Sequence, residues 1–69
     1  MTIHGKVQTF NRTIGAGFIS PEGGGPALPF RQIDVYRTAG EEVREQQRFS
    51  YEIGTDADGD KHAINLRPA

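Results

Sequence analysis

The stretch GAGFIS, residues Gly15–Ser20, decides how this chain folds. Two glycines bracket an alanine, and two large apolar side chains then stand side by side. In a strand, neighbouring side chains point to opposite faces, so either Phe18 or Ile19 must look outward. Ile19 is β-branched and suits a packed interior. Gly17 shares its parity, and a glycine on the inner face of a tight barrel permits close backbone packing. That assignment turns Ala16 and Phe18 to the outside.

The punctuation around this stretch argues for short strands. Gly15, Gly17, the run PEGGGP at Pro21–Pro26, Gly40, Gly54 and Gly59 break the chain into short apolar pieces, a spacing that suits strands better than long helices. TIHGKVQTFN puts Ile3, Val7 and Thr9 on one parity. Phe10 breaks the alternation, which predicts a bulge near the strand end. ALPF is a short third strand. RFSYEI alternates Phe49, Tyr51 and Ile53 with Arg48, Ser50 and Glu52, the pattern of a half-buried strand. KHAINL is the last. DADGD at 56–60 lies between the final two strands, where Asp-Gly is a hairpin-turn signal. Its alternating aspartates do not match a calcium loop, because Gly59 is fourth from Asp56 where the sixth position needs glycine, and the twelfth position is Arg67 where a glutamate is needed.

The Thr38–Glu41 stretch fits a helix capping box, and EEVREQQR contains good helix formers. Val43 nevertheless has no apolar partner at helical spacing, so residues 34–46 read as a long polar loop with at most one turn of helix. Five short strands with one long loop between the third and fourth predict an all-β fold. The expected architecture is a small five-stranded antiparallel OB-fold barrel spanning residues 1–69 as a single domain. Closure would also remove exposed sheet edges.

Composition limits what such a domain does. The chain has 69 residues, a net charge of −1 and no cysteine. A core this small buries about 60% of the unfolded chain's surface, and there is neither a disulfide nor a thiolate metal site to reinforce it. No apolar run approaches the roughly 18 residues of a membrane span, and MTIHGKVQTF lacks signal-peptide features. A cytoplasmic protein without membrane attachment is expected, with a monomer favoured. Residues 1–40 carry +2 and residues 41–69 carry −3, so the first half would supply a mildly positive face. Two serines and two histidines with no evident base–orienter pair argue against an enzyme. His4 and His62 by themselves make a poor metal site, and no cofactor is expected.

If strands two and three pair, Phe18, Leu28 and Phe30 would form one exposed apolar patch beside Lys6 and Arg12. Flat rings flanked by cations suit the unstacked bases and phosphates of a single strand.

These motifs together resemble the cold-shock domain. GKVQTFN corresponds to the family's Gly-x-Val-Lys-Trp-Phe-Asn opening and IGAGFI to its Lys-Gly-Phe-Gly-Phe-Ile. PALPF, EQQRFSYEI and AINL follow in the family's order, so the resemblance runs from Ile3 to Leu66. It implies a five-stranded antiparallel barrel that binds single-stranded RNA or DNA. By position, Lys6, Phe10, Phe18, Leu28, Phe30 and His62 fall on the binding face. Phe18 and Phe30 would stack bases, Phe10 would flank them, and Lys6, Arg12 and Arg31 would meet phosphates.

The departures from the family concentrate on that same face. Thr9 stands at the tryptophan position, and Gln8 and Ile14 stand at lysine positions. Ala16 and Leu28 replace phenylalanines, while Phe30 replaces a histidine. Pro29 sits where a valine is usual, and FRQI is one residue short. A net loss of two stacking platforms is worth roughly 2–6 kcal/mol, which weakens binding about 30-fold to 10⁴-fold. The alternative is a barrel that uses the same face for a protein partner, since leucine and proline make it more aliphatic.

Overall fold

A computed structural model of the chain describes residues 2–36 and 43–69. Five antiparallel strands form one sheet: β1 (Ile3–Asn11), β2 (Ala16–Pro21), β3 (Leu28–Arg31), β4 (Arg48–Thr55) and β5 (Lys61–Pro68). Their order is β3-β2-β1-β4-β5. The fold is therefore all-β and five-stranded, as the sequence predicts. The hydrogen-bonded sheet does not close into a full barrel. Among the described residues its ends are tied by a parallel bridge between Val35 and Leu66, where the Tyr36 N–H donates to the Leu66 carbonyl at 2.7 Å. Pro29 lies in the edge strand β3, where its missing N–H costs the ladder least.

Two bulges set which residues face inward. In β1 the pairing with β2 shifts between Val7↔Ile19 and Thr9↔Phe18, leaving Gln8 as the extra residue. The irregularity signalled by Phe10 is real, and it carries Thr9 outward and Phe10 inward. In β5 the register shifts between Ser50↔Arg67 and Glu52↔Ile64. Asn65 adopts a left-handed φ of 52° there, a conformation asparagine tolerates better than most residues. The extra residue allows Ala63 and Leu66, three positions apart, both to be buried.

Val7, Ile19, Phe30, Val35, Val43, Phe49, Tyr51, Ala63 and Leu66 form the core. The long-loop expectation for residues 34–46 needs correction at both ends. Residues Gln32–Asp34 form a 3-10 turn, Val35 bridges to β5, and Val43 returns to the core. Gln46 donates its N–H to the Val7 carbonyl, and Val7 donates to the Gln47 carbonyl, so this segment lies along β1. The capping box at Thr38–Glu41 falls outside the described residues. Ile53 pairs with Ala63 on the inner face, yet it sits at the rim and remains exposed.

The DADGD turn is as expected. Asp58 and Asp60 both donate backbone N–H groups to Asp56 Oδ1 at 2.9 Å, and Gly59 takes a φ of +86°.

Candidate nucleic-acid interface

Residues paired across an antiparallel ladder share a face. The outer face of the central strands can therefore be read directly from the register. Lys6 pairs with Ser20 on one side and Arg48 on the other, and Thr9 pairs with Phe18. Phe18 in turn pairs with Pro29. Phe18 is 49% exposed while Ile19 is fully buried, which is the orientation GAGFIS predicts. Gly17 faces inward beneath the two strands. A Cβ there would overlap the Thr9 carbonyl oxygen and stand 2.9 Å from Phe10 Cα, so β1 and β2 approach closely only because the residue is glycine.

The patch expected on strand three is not formed. Leu28 pairs with Ile19 and Phe30 pairs with Gly17, both on the inner face. Phe30 is 1% exposed, and Leu28 packs half-buried against the core. The register, which strand parity alone does not specify, inverts the expected assignment. The space above Gly17 is filled by the Phe10 and Phe30 rings, stacked at 5.8 Å between centroids and 14° between planes. Phe30 is thus a core residue and Phe10 a half-buried one. The outward positions on β3 belong to Pro29 and Arg31.

Hollows on the outer side include two that meet beside Pro29. One, of about 390 Å³, is lined by Thr9, Asn11, Ile14, Ala16, Phe18 and Pro29 among others. The second, of about 630 Å³, lies where β3 faces β5, between Arg31 and Asp34 on one side and Lys61 and His62 on the other. Ala16 and Pro29 line both hollows, so they form one continuous surface from Phe18 to His62. His62 is half-buried and faces outward, opposite Gly54. His4 is on β1, with β4 between it and the strand that carries His62.

The expected cations are distributed along this surface. Lys6 is exposed on the outer face of β1. Arg12 is exposed in the turn that Gly15 closes by donating to the Asn11 carbonyl. Arg31 is exposed and lies 3.8 Å from Asp34 Oδ2, an oxygen with no hydrogen-bond partner among the described residues. The structure thus brings Lys6, Phe18 and Pro29 onto adjoining rows and places Arg31 and His62 across the β3–β5 seam. It withdraws Leu28 and Phe30, and it turns Phe10 inward, half-buried against the core.

Sequence reasoning missed Arg48. Its Nε and Nη2 donate to Glu22 Oε1 and Oε2 at 2.5 and 3.1 Å. That hydrogen bond is the main cause holding the Glu22 carboxyl below its usual range, and the charges of Arg48, His4 and Lys6 add to it. The available signal was modest: an arginine on the polar parity of the clean strand RFSYEI.

Compared with known proteins, the chain matches no family model and no curated protein.

Proposed function

We propose that this protein is a divergent cold-shock-type domain that binds single-stranded RNA or DNA weakly, through the outer face of β1–β3. The observation that carries the reading is Phe18, a large ring half exposed on the outer face of a small sheet. A base would stack on that ring, with Lys6 near one phosphate and Arg12 near another. Continuing across Pro29, the strand would reach Arg31 and His62. Stacking on one ring is worth about 1–3 kcal/mol. With Phe30 in the core, no platform offsets the three that the family pattern would supply. Binding is therefore weaker than a full site by about 100-fold or more, with little sequence preference.

Titration of a six-nucleotide oligothymidine or oligouridine in low salt, followed by NMR, tests this. Shifts should concentrate at Lys6, Thr9, Phe18 and the residues flanking Pro29. Phe18→Ala should weaken binding roughly 5- to 150-fold. Absence of shifts at Phe18 and Lys6 at millimolar oligonucleotide would refute the proposal.

A second reading rests on Ile14 and Ile33, which are 71% and 81% exposed. Ile14 lines one hollow with Phe18, and the Gln32 N–H donates to the Gly15 carbonyl, so the segments that carry Ile14 and Ile33 are neighbours. That surface suits a protein partner. Shifts at Ile14 and Ile33 that depend on protein concentration, without response to oligonucleotide, would favour it.

A further inference from the structure

We propose that Arg48 and Lys6 form a phosphate-binding site on the outer face, which Glu22 occupies as a built-in competitor. The inference deepens the nucleic-acid reading and rests on it for the identity of the ligand. It requires that a phosphodiester displace the Glu22 carboxylate from Arg48.

The geometry points to an anion site. Lys6 sits in the central strand with Ser20 and Arg48 as its two cross-strand neighbours. His4 is the next outward residue on β1. Ser20 Oγ donates to Gln8 Oε1 at 3.3 Å, which brings the bulged Gln8 to the same spot. Lys6, Gln8, Ser20 and Glu22 line a shallow groove of about 440 Å³. Phe18 is one outward step along β2 from Ser20, about 7 Å away, so a base on Phe18 and a phosphate at Lys6–Arg48 would belong to the same bound strand.

The occupant already present is an anion in the geometry a phosphate would use. Guanidinium binds carboxylate and phosphate alike by two parallel N–H···O bonds. Glu22 meets Arg48 in that fork. Its backbone is set by donation of the Glu22 N–H to the His4 carbonyl. The Glu22 side chain is 38% exposed, so rotation about its own bonds can swing the carboxylate aside without disturbing the sheet. An exposed ion pair contributes little to stability, so its loss leaves the fold standing.

Binding of a six-nucleotide oligothymidine, across 25–150 mM salt, to four proteins tests the idea: unmodified, Glu22→Gln, Arg48→Gln and the double variant. Inorganic tripolyphosphate serves as an anion without bases. Glu22→Gln should bind the oligonucleotide roughly 2- to 5-fold more tightly. Its salt slope should steepen by about 0.7 for the added phosphate contact. Arg48→Gln should abolish that gain, and tripolyphosphate should shift Lys6, Ser20 and Arg48 in the Glu22→Gln protein. A gain that survives in the double variant reports only the lost negative charge and overturns the proposal. So does oligonucleotide binding through Phe18 that is indifferent to Glu22, although the nucleic-acid reading then stands. Tripolyphosphate binding at Lys6–Arg48 with no oligonucleotide binding keeps the anion site and removes the stacking reading. Binding of neither probe to any of the four proteins removes both.

Discussion

Tyr51→Phe should make this protein more stable. Tyr51 is 1% exposed, and its hydroxyl has no hydrogen-bond partner among the described residues. Its ring lies over Gly5, where an added Cβ would stand 3.0 Å from Tyr51 Cε1. A buried polar group left unpaired costs about 1–3 kcal/mol. Phenylalanine keeps the ring and discards the hydroxyl, and the vacated oxygen site forfeits only a few tenths of a kcal/mol of dispersion. The net gain is about 1–2 kcal/mol, which in a domain of this size raises Tm by roughly 4–15 °C.

The pH dependence provides a second readout. Burial pushes the Tyr51 phenol above its ordinary value of 10.0. Below that value both folded and unfolded forms hold the proton, and stability is unaffected. Above it the unfolded chain loses the proton first, so stability falls as pH rises toward the folded value, by at most about 1.4 kcal/mol per unit. Urea melts at pH 7 followed by far-ultraviolet circular dichroism, and thermal melts from pH 8 to 11, measure both effects. Phenylalanine should raise the neutral-pH stability and flatten the alkaline decline. A variant less stable than the parent at pH 7, with an unchanged alkaline limb, would refute the reasoning.

Two further outcomes follow from the placement of the aromatic residues. Phe30→Ala should cost about 3–5 kcal/mol, enough to unfold a domain of this size at ordinary temperature. Phe18→Ala should leave Tm nearly unchanged, and a comparable loss from both would mean that the outward ring is structural. Gly17→Ala should destabilise by about 1–3 kcal/mol, because its methyl group meets strand backbone and not a flexible side chain. Chemical denaturation checks it, and an unaltered midpoint would show that β1 and β2 have room to separate.

The site was only partly legible in the sequence. GAGFIS could be read correctly because the choice between Phe18 and Ile19 is local: alternation offers two orientations, and glycine at 17 with a β-branched residue at 19 selects one. ALPF offers the same two orientations with nothing local to choose between them. There the answer comes from pairing Leu28 with Ile19 and Phe30 with Gly17, which is set by which rings fill the space Gly17 leaves. Val43 was missed for a related reason. It is a lone apolar residue in a polar run, and its burial depends on the chain returning along β1. The Arg48–Glu22 pair joins residues 26 positions apart, and no spacing rule connects them.

The order of apolar and polar residues thus determined that this chain is a small five-stranded antiparallel sheet with Phe18 outside, because alternation and turn chemistry act over a few residues. The fold alone decided that Phe30 packs inside on Phe10, that Arg48 stands beside Lys6, and that Pro29 and His62 border one continuous surface. Those outcomes depend on strand register and bulges, and a one-residue shift in register moves every side chain of a strand to the opposite face.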